Sequence, residues 1–96
     1  EAFTVTGSGF ADTITAGTGA DTITGGAGND TINLANGAFA AGESLTGGAD
    51  TDAIILTNAT TVDFTTGTLA TVETLTGSTG NDTVTMLASH IAGMFT

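Results

Sequence analysis

The stretch that decides the fold is Gly25-Gly26-Ala27-Gly28-Asn29-Asp30-Thr31-Ile32-Asn33. Its first six residues are rich in Gly and end in Asp, which suits a turn with close backbone approach and left-handed φ values. Its last three alternate polar, apolar, polar, the pattern of a very short strand with one inward side chain. Two stretches upstream have the same form: Gly7–Thr15 (GSGFADTIT) and Ala16–Thr24 (AGTGADTIT). Three nine-residue units therefore run in tandem, and Asp12, Asp21 and Asp30 recur every nine positions.

Downstream the units loosen. Gly47–Ile55 reads GGADTDAII with Asp52 at the acidic place, and Gly77–Thr85 reads GSTGNDTVT with Asp82 there. Degenerate units before them end in Glu43-Ser44-Leu45-Thr46 and Glu73-Thr74-Leu75-Thr76. The acidic series is then Asp12, Asp21, Asp30, Glu43, Asp52, Asp63, Glu73 and Asp82, at spacings of 9, 9, 13, 9, 11, 10 and 9. Eight of the ten acids of the chain fall on it, which random placement does not produce. The long step predicts a four-residue insertion within Leu34–Gly37, and the steps of 11 and 10 predict loop expansions around Thr57–Thr61 and Thr66–Thr68. Ile14, Ile23, Ile32, Leu45, Ile54, Leu75 and Val84 take the inward place. Stacked at a strand spacing of about 4.8 Å, they predict a narrow aliphatic core between two sheets. Two units make one 18-residue coil, so loops on the same side recur at every second unit.

Composition states what such a coil requires. The 96 residues contain no Cys and one His, which leaves disulfides out and zinc or copper short of ligands. They contain no Lys or Arg against ten Asp and Glu, a net charge of −10, so no carboxylate has a Lys or Arg to pair with. Self-repulsion opposes compaction unless something outside the chain neutralises it. A hard cation with oxygen ligands fits that need, and calcium fits it better than magnesium. The same charge argues against nucleic acid and anionic membranes as partners. No apolar run approaches the length of a membrane span, and the opening EAFTVTGSG lacks the basic segment of a signal peptide. An acidic, Gly-rich chain also suits disorder, and disorder is the expectation for the calcium-free state.

The units resemble the RTX nonapeptide, G-G-x-G-x-D-x-U-x with U a large apolar residue. Gly25–Asn33 matches it at every fixed position. Ala16–Thr24 lacks the first Gly, and Gly7–Thr15 has Ser8 and Phe10 at the second and fourth places. The resemblance implies an all-β fold, a right-handed parallel β-roll (a β-solenoid) with calcium-binding turns, spanning residues 1–96 as one unit. Residues 7–55 would be the well-formed binding half, and 56–96 degenerate coils with a C-terminal edge.

The resemblance further implies Ca2+ between same-side loops one coil apart, held by Asp carboxylates and backbone carbonyls. Carried over, Asp12 would face Asp30, with carbonyls of Ser8, Phe10, Gly25 and Ala27. Asp30 would share a second site with Asp52, using carbonyls of Gly26, Gly28, Gly47 and Ala49. On the opposite side Asp21 would pair with Glu43, with carbonyls of Gly17 and Gly19. Asp82 keeps a good local motif but has no partner unless Asp63 serves. For Asp63 and Glu73 solvation competes equally with calcium, Asp50 reads as solvated, and Phe10 reads as a hydrophobic lid over the first coil.

Nothing in the sequence points to an enzyme. His90, in MLASHIAGMF, is the only candidate base and reads as solvent-facing. Membership in this class implies export through a type I secretion system, folding in extracellular calcium, and a secreted or cell-surface location. The composition and the irregular middle, Thr57–Thr76, resemble surface-layer or adhesin arrays. An exported hydrolase or toxin carrying such a module near its C-terminus is the alternative. A second alternative is ice binding, because Thr4–Thr6, Thr13–Thr15, Thr22–Thr24, Thr74–Thr76 and Thr83–Thr85 predict outward Thr ranks. The run Met86–Thr96 has no further Asp loop or polar cap, so either the chain continues or this end docks head-to-tail on another copy within a larger array.

Overall fold

Thr-apolar-Thr triplets are strand formers, because β-branched side chains suit a pleated, half-buried surface. The computed structural model describes residues 2–86 and turns these triplets into ten short strands. They are β1 (Thr4–Thr6), β2 (Thr13–Thr15), β3 (Thr22–Gly26), β4 (Thr31–Leu34), β5 (Ser44–Gly48), β6 (Ala53–Leu56), β7 (Thr61–Asp63), β8 (Thr68–Ala70), β9 (Thr74–Thr76) and β10 (Thr83–Thr85). A single 3-10 turn, Phe64–Thr66, lies between β7 and β8. All pairings are parallel and in register: β1-β3-β5-β8 form one sheet, β2-β4-β6-β9 a second, and β7-β10 a third. The architecture is the expected all-β parallel solenoid.

The inward residue of each triplet stacks on its equivalents. Val5, Ile23, Leu45 and Leu69 align across the first sheet, and Ile14, Ile32, Ile54 and Leu75 across the second. Ile23, Ile32, Leu45 and Ile54 are at most 1 % exposed, whereas Val5, Ile14, Leu75 and Val84 on the outer strands are half-buried. Full burial of such a side chain is worth about 1.5–3 kcal/mol. The middle coils therefore carry most of the apolar stabilisation.

A uniform 18-residue coil holds only at the start. Asp12 and Asp30 are 18 positions apart, but Asp30 and Asp52 are 22 apart, and Asp52 and Glu73 are 21. The extra length after β4 lies in 35–42, beyond the predicted Leu34–Gly37 window, since Leu34 is itself a buried strand residue paired with Leu56. Under it, the predicted loop expansions of 57–68 are instead a third side of the coil, made of β7 and the 3-10 turn. Phe64 is fully buried there and meets Phe39 edge to face, with ring centroids 4.8 Å apart. Val62, Ala38 and Val72 complete this wider part of the core.

Two other expectations change. Asp63 is not on the acidic ladder: it ends β7, and its Oδ1 accepts the Thr65 N–H at 2.9 Å to cap the 3-10 turn. Phe10 is not a lid, since it is 81 % exposed at the tip of its loop. His90 and the run after Met86 lie outside the described residues.

Candidate metal centre

In every coil the residue just before a strand occupies an edge of the roll. Those places are filled by Asp12, Asp21, Asp30, Glu43, Asp52, Thr60, Gly67, Glu73 and Asp82. Each carboxylate among them beyond the first reaches back one coil and accepts a backbone N–H. Asp30 takes the N–H of Asp12 at 2.8 Å, Asp52 that of Asp30 at 2.8 Å, and Glu73 that of Asp52 at 2.8 Å. On another edge Asp21 takes the N–H of Phe3 at 2.9 Å, and Glu43 that of Asp21 at 3.1 Å. On the third edge Asp82 takes the N–H of Thr60 at 3.0 Å. These columns satisfy buried donors, but they stack carboxylates with no Lys or Arg in the chain to balance them.

The second oxygen of each Asp separates two kinds of loop. In the loop ending at Asp12, Oδ2 accepts the Ser8 N–H at 2.5 Å, and in that ending at Asp82 it accepts the Ser78 N–H at 2.7 Å. Asp21 does the same with the Gly17 N–H at 2.9 Å. The two loops that begin Gly-Gly differ. Gly26 and Gly48 adopt φ values of +115° and +118°, and neither N–H caps its Asp: that of Gly48 goes to Thr71 Oγ1 at 2.8 Å. A side chain at either position would also strike a carbonyl, that of Ser8 at Gly26 and that of Gly26 at Gly48. Asp30 Oδ2 and Asp52 Oδ2 are left buried with no hydrogen-bond partner, as is Glu43 Oε1. All three residues are 1 % exposed.

A buried, unpartnered carboxylate oxygen is costly unless it is protonated or meets a cation. Burial pushes Glu43 above its ordinary value, against the N–H groups of Asp21 and Ala40 and with the help of the Asp21 charge. Burial likewise raises Asp52, aided by the charges of Asp30, Glu73 and Asp50. At Asp82 burial acts upward, but the Ser78 N–H and hydroxyl and the Thr60 N–H outweigh it and hold the carboxyl below its ordinary range.

The surroundings are oxygen-rich. Asp30 Oδ2 and the Gly47 carbonyl both crowd the place a side chain on Gly25 would fill, and Asp52 Oδ2 and the Thr71 carbonyl crowd the equivalent place at Gly47. Asp12 Oδ2 and the Gly25 carbonyl do the same at Gly7. No cluster of three or more acids or His suited to a metal occurs among the described residues, so a cation here draws on backbone carbonyls as well. Carboxylate plus carbonyl oxygens is the donor set a hard cation such as calcium takes. The residues present fit the ion.

Of the residues predicted from sequence, the structure brings together Asp12, Asp30 and Asp52 in one column and Asp21 and Glu43 in the other. The Ser8 and Gly26 carbonyls each accept an N–H, from Ala27 at 3.4 Å and Ala49 at 2.9 Å. The Phe10 carbonyl faces the Ser8 hydroxyl at 3.4 Å. Gly28 donates its N–H to Asp50 Oδ2 at 3.0 Å, so Asp50 is tethered although exposed. Gly17 caps Asp21, and Gly19 belongs to the same loop. Asp82 is paired with Thr60, not Asp63. Thr60, Gly67 and Thr71 were missed; the pairs Thr61-Val62 and Thr68-Leu69, which repeat the Thr-apolar signal, would have placed the first two.

The chain matches no curated protein and no solved structure at a significant level. A protein-family model does match, in four copies over residues 6–38 and 70–85, just over half of the sequence. Stacked parallel strands, Gly-rich turns ending in buried Asp, and that match agree: the chain belongs to the family of RTX calcium-binding nonapeptide repeats.

Proposed function

We propose that this module serves a secreted bacterial surface or assembly protein, such as a surface layer, adhesin or filament, and folds when it binds Ca2+. It performs no catalysis in this reading. The observation that carries the calcium step is the set of buried, unpartnered oxygens on Asp30, Glu43 and Asp52 in a chain without Lys or Arg. Calcium would lie between the loops of Asp12 and Asp30, with carbonyls of Ser8, Phe10, Gly25 and Ala27. A second ion would lie between those of Asp30 and Asp52, with carbonyls of Gly26, Gly28, Gly47 and Ala49. Asp21, Glu43 and the carbonyls of Gly17 and Gly19 would hold a third, and Asp82 is a further ligand. Residues 7–55 form the binding half, and 56–96 the degenerate one.

Without calcium the columns repel, and the thin core does not offset the conformational entropy of ordering the chain. With calcium the charge is neutralised and neighbouring loops are tied, so metal affinity becomes folding free energy. Circular dichroism with calcium and with excess chelator tests this. A β spectrum that appears only with calcium supports it, and one unchanged by chelator overturns it. Export in an unfolded state through a type I system suits a chain that folds only outside, where calcium is abundant. Assembly through head-to-tail contacts predicts filaments or lattices by electron microscopy in calcium and none in chelator.

A second reading has one observation in its favour. Across the first sheet Thr4, Thr22, Ser44 and Thr68 align as one row, and Thr6, Thr24 and Thr46 as another ending at Ala70. This uncharged, hydroxyl-bearing face suits ordered water at an ice surface. Thermal hysteresis in the presence of calcium supports that reading, and its absence removes it.

A further inference from the structure

We infer that a further calcium site lies between the loop of Asp52 and the short segment Thr71–Glu73, where the sequence has no Gly-rich motif. The inference rests on the calcium reading above and extends it to a loop that carries no Gly. Three junctions along one edge share a single arrangement. The first residue of a loop is crowded by its own Asp Oδ2 and by the carbonyl of the residue one coil below. These sets are Gly7 with Asp12 and the Gly25 carbonyl, Gly25 with Asp30 and the Gly47 carbonyl, and Gly47 with Asp52 and the Thr71 carbonyl. Thr71 therefore stands where Gly25 and Gly47 stand in the coils above.

The third junction is as ready for a cation as the second. Asp52 is 1 % exposed, its Oδ1 is used by the Asp30 N–H, and its Oδ2 has no partner. That free oxygen and the Thr71 carbonyl both crowd the place a side chain on Gly47 would fill. Thr71 holds the left-handed φ of +51°, a conformation that glycine supplies elsewhere in these turns. Its hydroxyl accepts the Gly48 N–H at 2.8 Å, which keeps that donor from capping Asp52. Glu73, one methylene longer than Asp, still reaches the Asp52 N–H at 2.8 Å from a much shorter loop. It brings the second carboxylate to the junction. Asp52, Glu73 and the Thr71 carbonyl are the oxygen donors of this site, completed by water as calcium sites commonly are.

Isothermal titration of the full chain with Ca2+, wild type against Glu73→Gln, provides the test. Gln keeps an acceptor for the Asp52 N–H and removes only the charge. The expected result is one fewer calcium bound, or one site weakened by at least about tenfold, with the remaining sites unchanged. Superimposable isotherms overturn the inference while leaving the calcium module intact. Should the variant fail to fold in calcium, a crystal of the wild-type chain grown with Tb3+ decides the matter. An anomalous peak between Asp52 and Thr71 supports the site, and peaks only at the Gly-rich loops overturn it. No binding at all by the wild type overturns both this site and the calcium reading beneath it.

Discussion

Asp30 and Asp52 are joined in one direction only: Asp52 Oδ1 accepts the Asp30 N–H at 2.8 Å, while the Asp30 carboxylate turns to the N–H of Asp12. Each then keeps one buried oxygen that meets no donor. The roll without metal thus spends half of each carboxylate on its own backbone and leaves the other half unsatisfied.

That division predicts opposite effects from one substitution. Asp52→Asn keeps the acceptor for the Asp30 N–H and replaces the unpartnered oxygen with a donor facing the Thr71 carbonyl. Relief of an unsatisfied buried group is worth about 1–3 kcal/mol. The variant should show more β signal than wild type in chelator, yet a smaller gain on adding calcium. Paired circular dichroism titrations check both signs.

The pH dependence of the calcium-free chain follows from Glu43 and Asp52, both raised by burial above ordinary values of 4.5 and 3.8. A carboxyl with a raised folded value binds its proton more tightly in the folded state. Its contribution is fully present below the unfolded value and is lost as pH rises through the folded one. Asp63 is lowered by the Thr65 hydroxyl and N–H, and Asp82 is also lowered, so their contributions fade as pH falls through 3.8 and below. The metal-free chain should therefore gain structure on acidification from neutrality toward the ordinary carboxylate range, and lose the Asp63 and Asp82 contributions on further acidification below it. The calcium-loaded chain should only weaken as protons compete for the ligands. Thermal melts across this range in metal-free and calcium buffers distinguish the two.

The core gradient can be read by truncation. Ile54→Ala removes a fully buried side chain at the middle of the stack and should cost about 2–5 kcal/mol. Ile14→Ala, at a half-buried place on an outer strand, should cost less. Because folding and binding are coupled, both costs should appear as a higher calcium midpoint, larger for Ile54.

Two glycines separate necessity from habit. Gly48→Ala places a Cβ against the Gly26 carbonyl at a φ of +118° and should abolish calcium-dependent folding. Gly9→Ala meets nothing within 4 Å and no left-handed backbone, so it should be neutral or stabilise by up to about 1 kcal/mol. The midpoint of a calcium-dependent melt reports both.

The first two coils were legible because their acid and their inward aliphatic residue coincide in one nine-residue period. Asp12, Asp21 and Asp30, with Ile14, Ile23 and Ile32, fall where the spacing put them. Beyond Asp52 the two signals part. Thr60 and Gly67 hold the edge places without a charge, and Asp63 carries a charge without holding one, so counting acids misplaced the middle of the chain. The third side was hidden for the same reason, although Val62 and Leu69 keep the inward pattern. Burial of Phe64 against Phe39 is a tertiary event that no local period announces. At the site, the period placed Asp12, Asp30 and Asp52 in one column but did not announce which oxygens are committed, because that depends on where Gly26 and Gly48 point their backbones.

The backward reach of the carboxylates gives the roll a polarity of assembly. Asp30 secures Asp12, Asp52 secures Asp30, and Glu73 secures Asp52. In this column the loops of Asp12, Asp30 and Asp52 are each fastened by the acid one coil further along the chain. Coils added in order act as a ratchet, each new turn latching the turn already laid down. Pulling such a roll apart should proceed from its C-terminal side, one latch at a time.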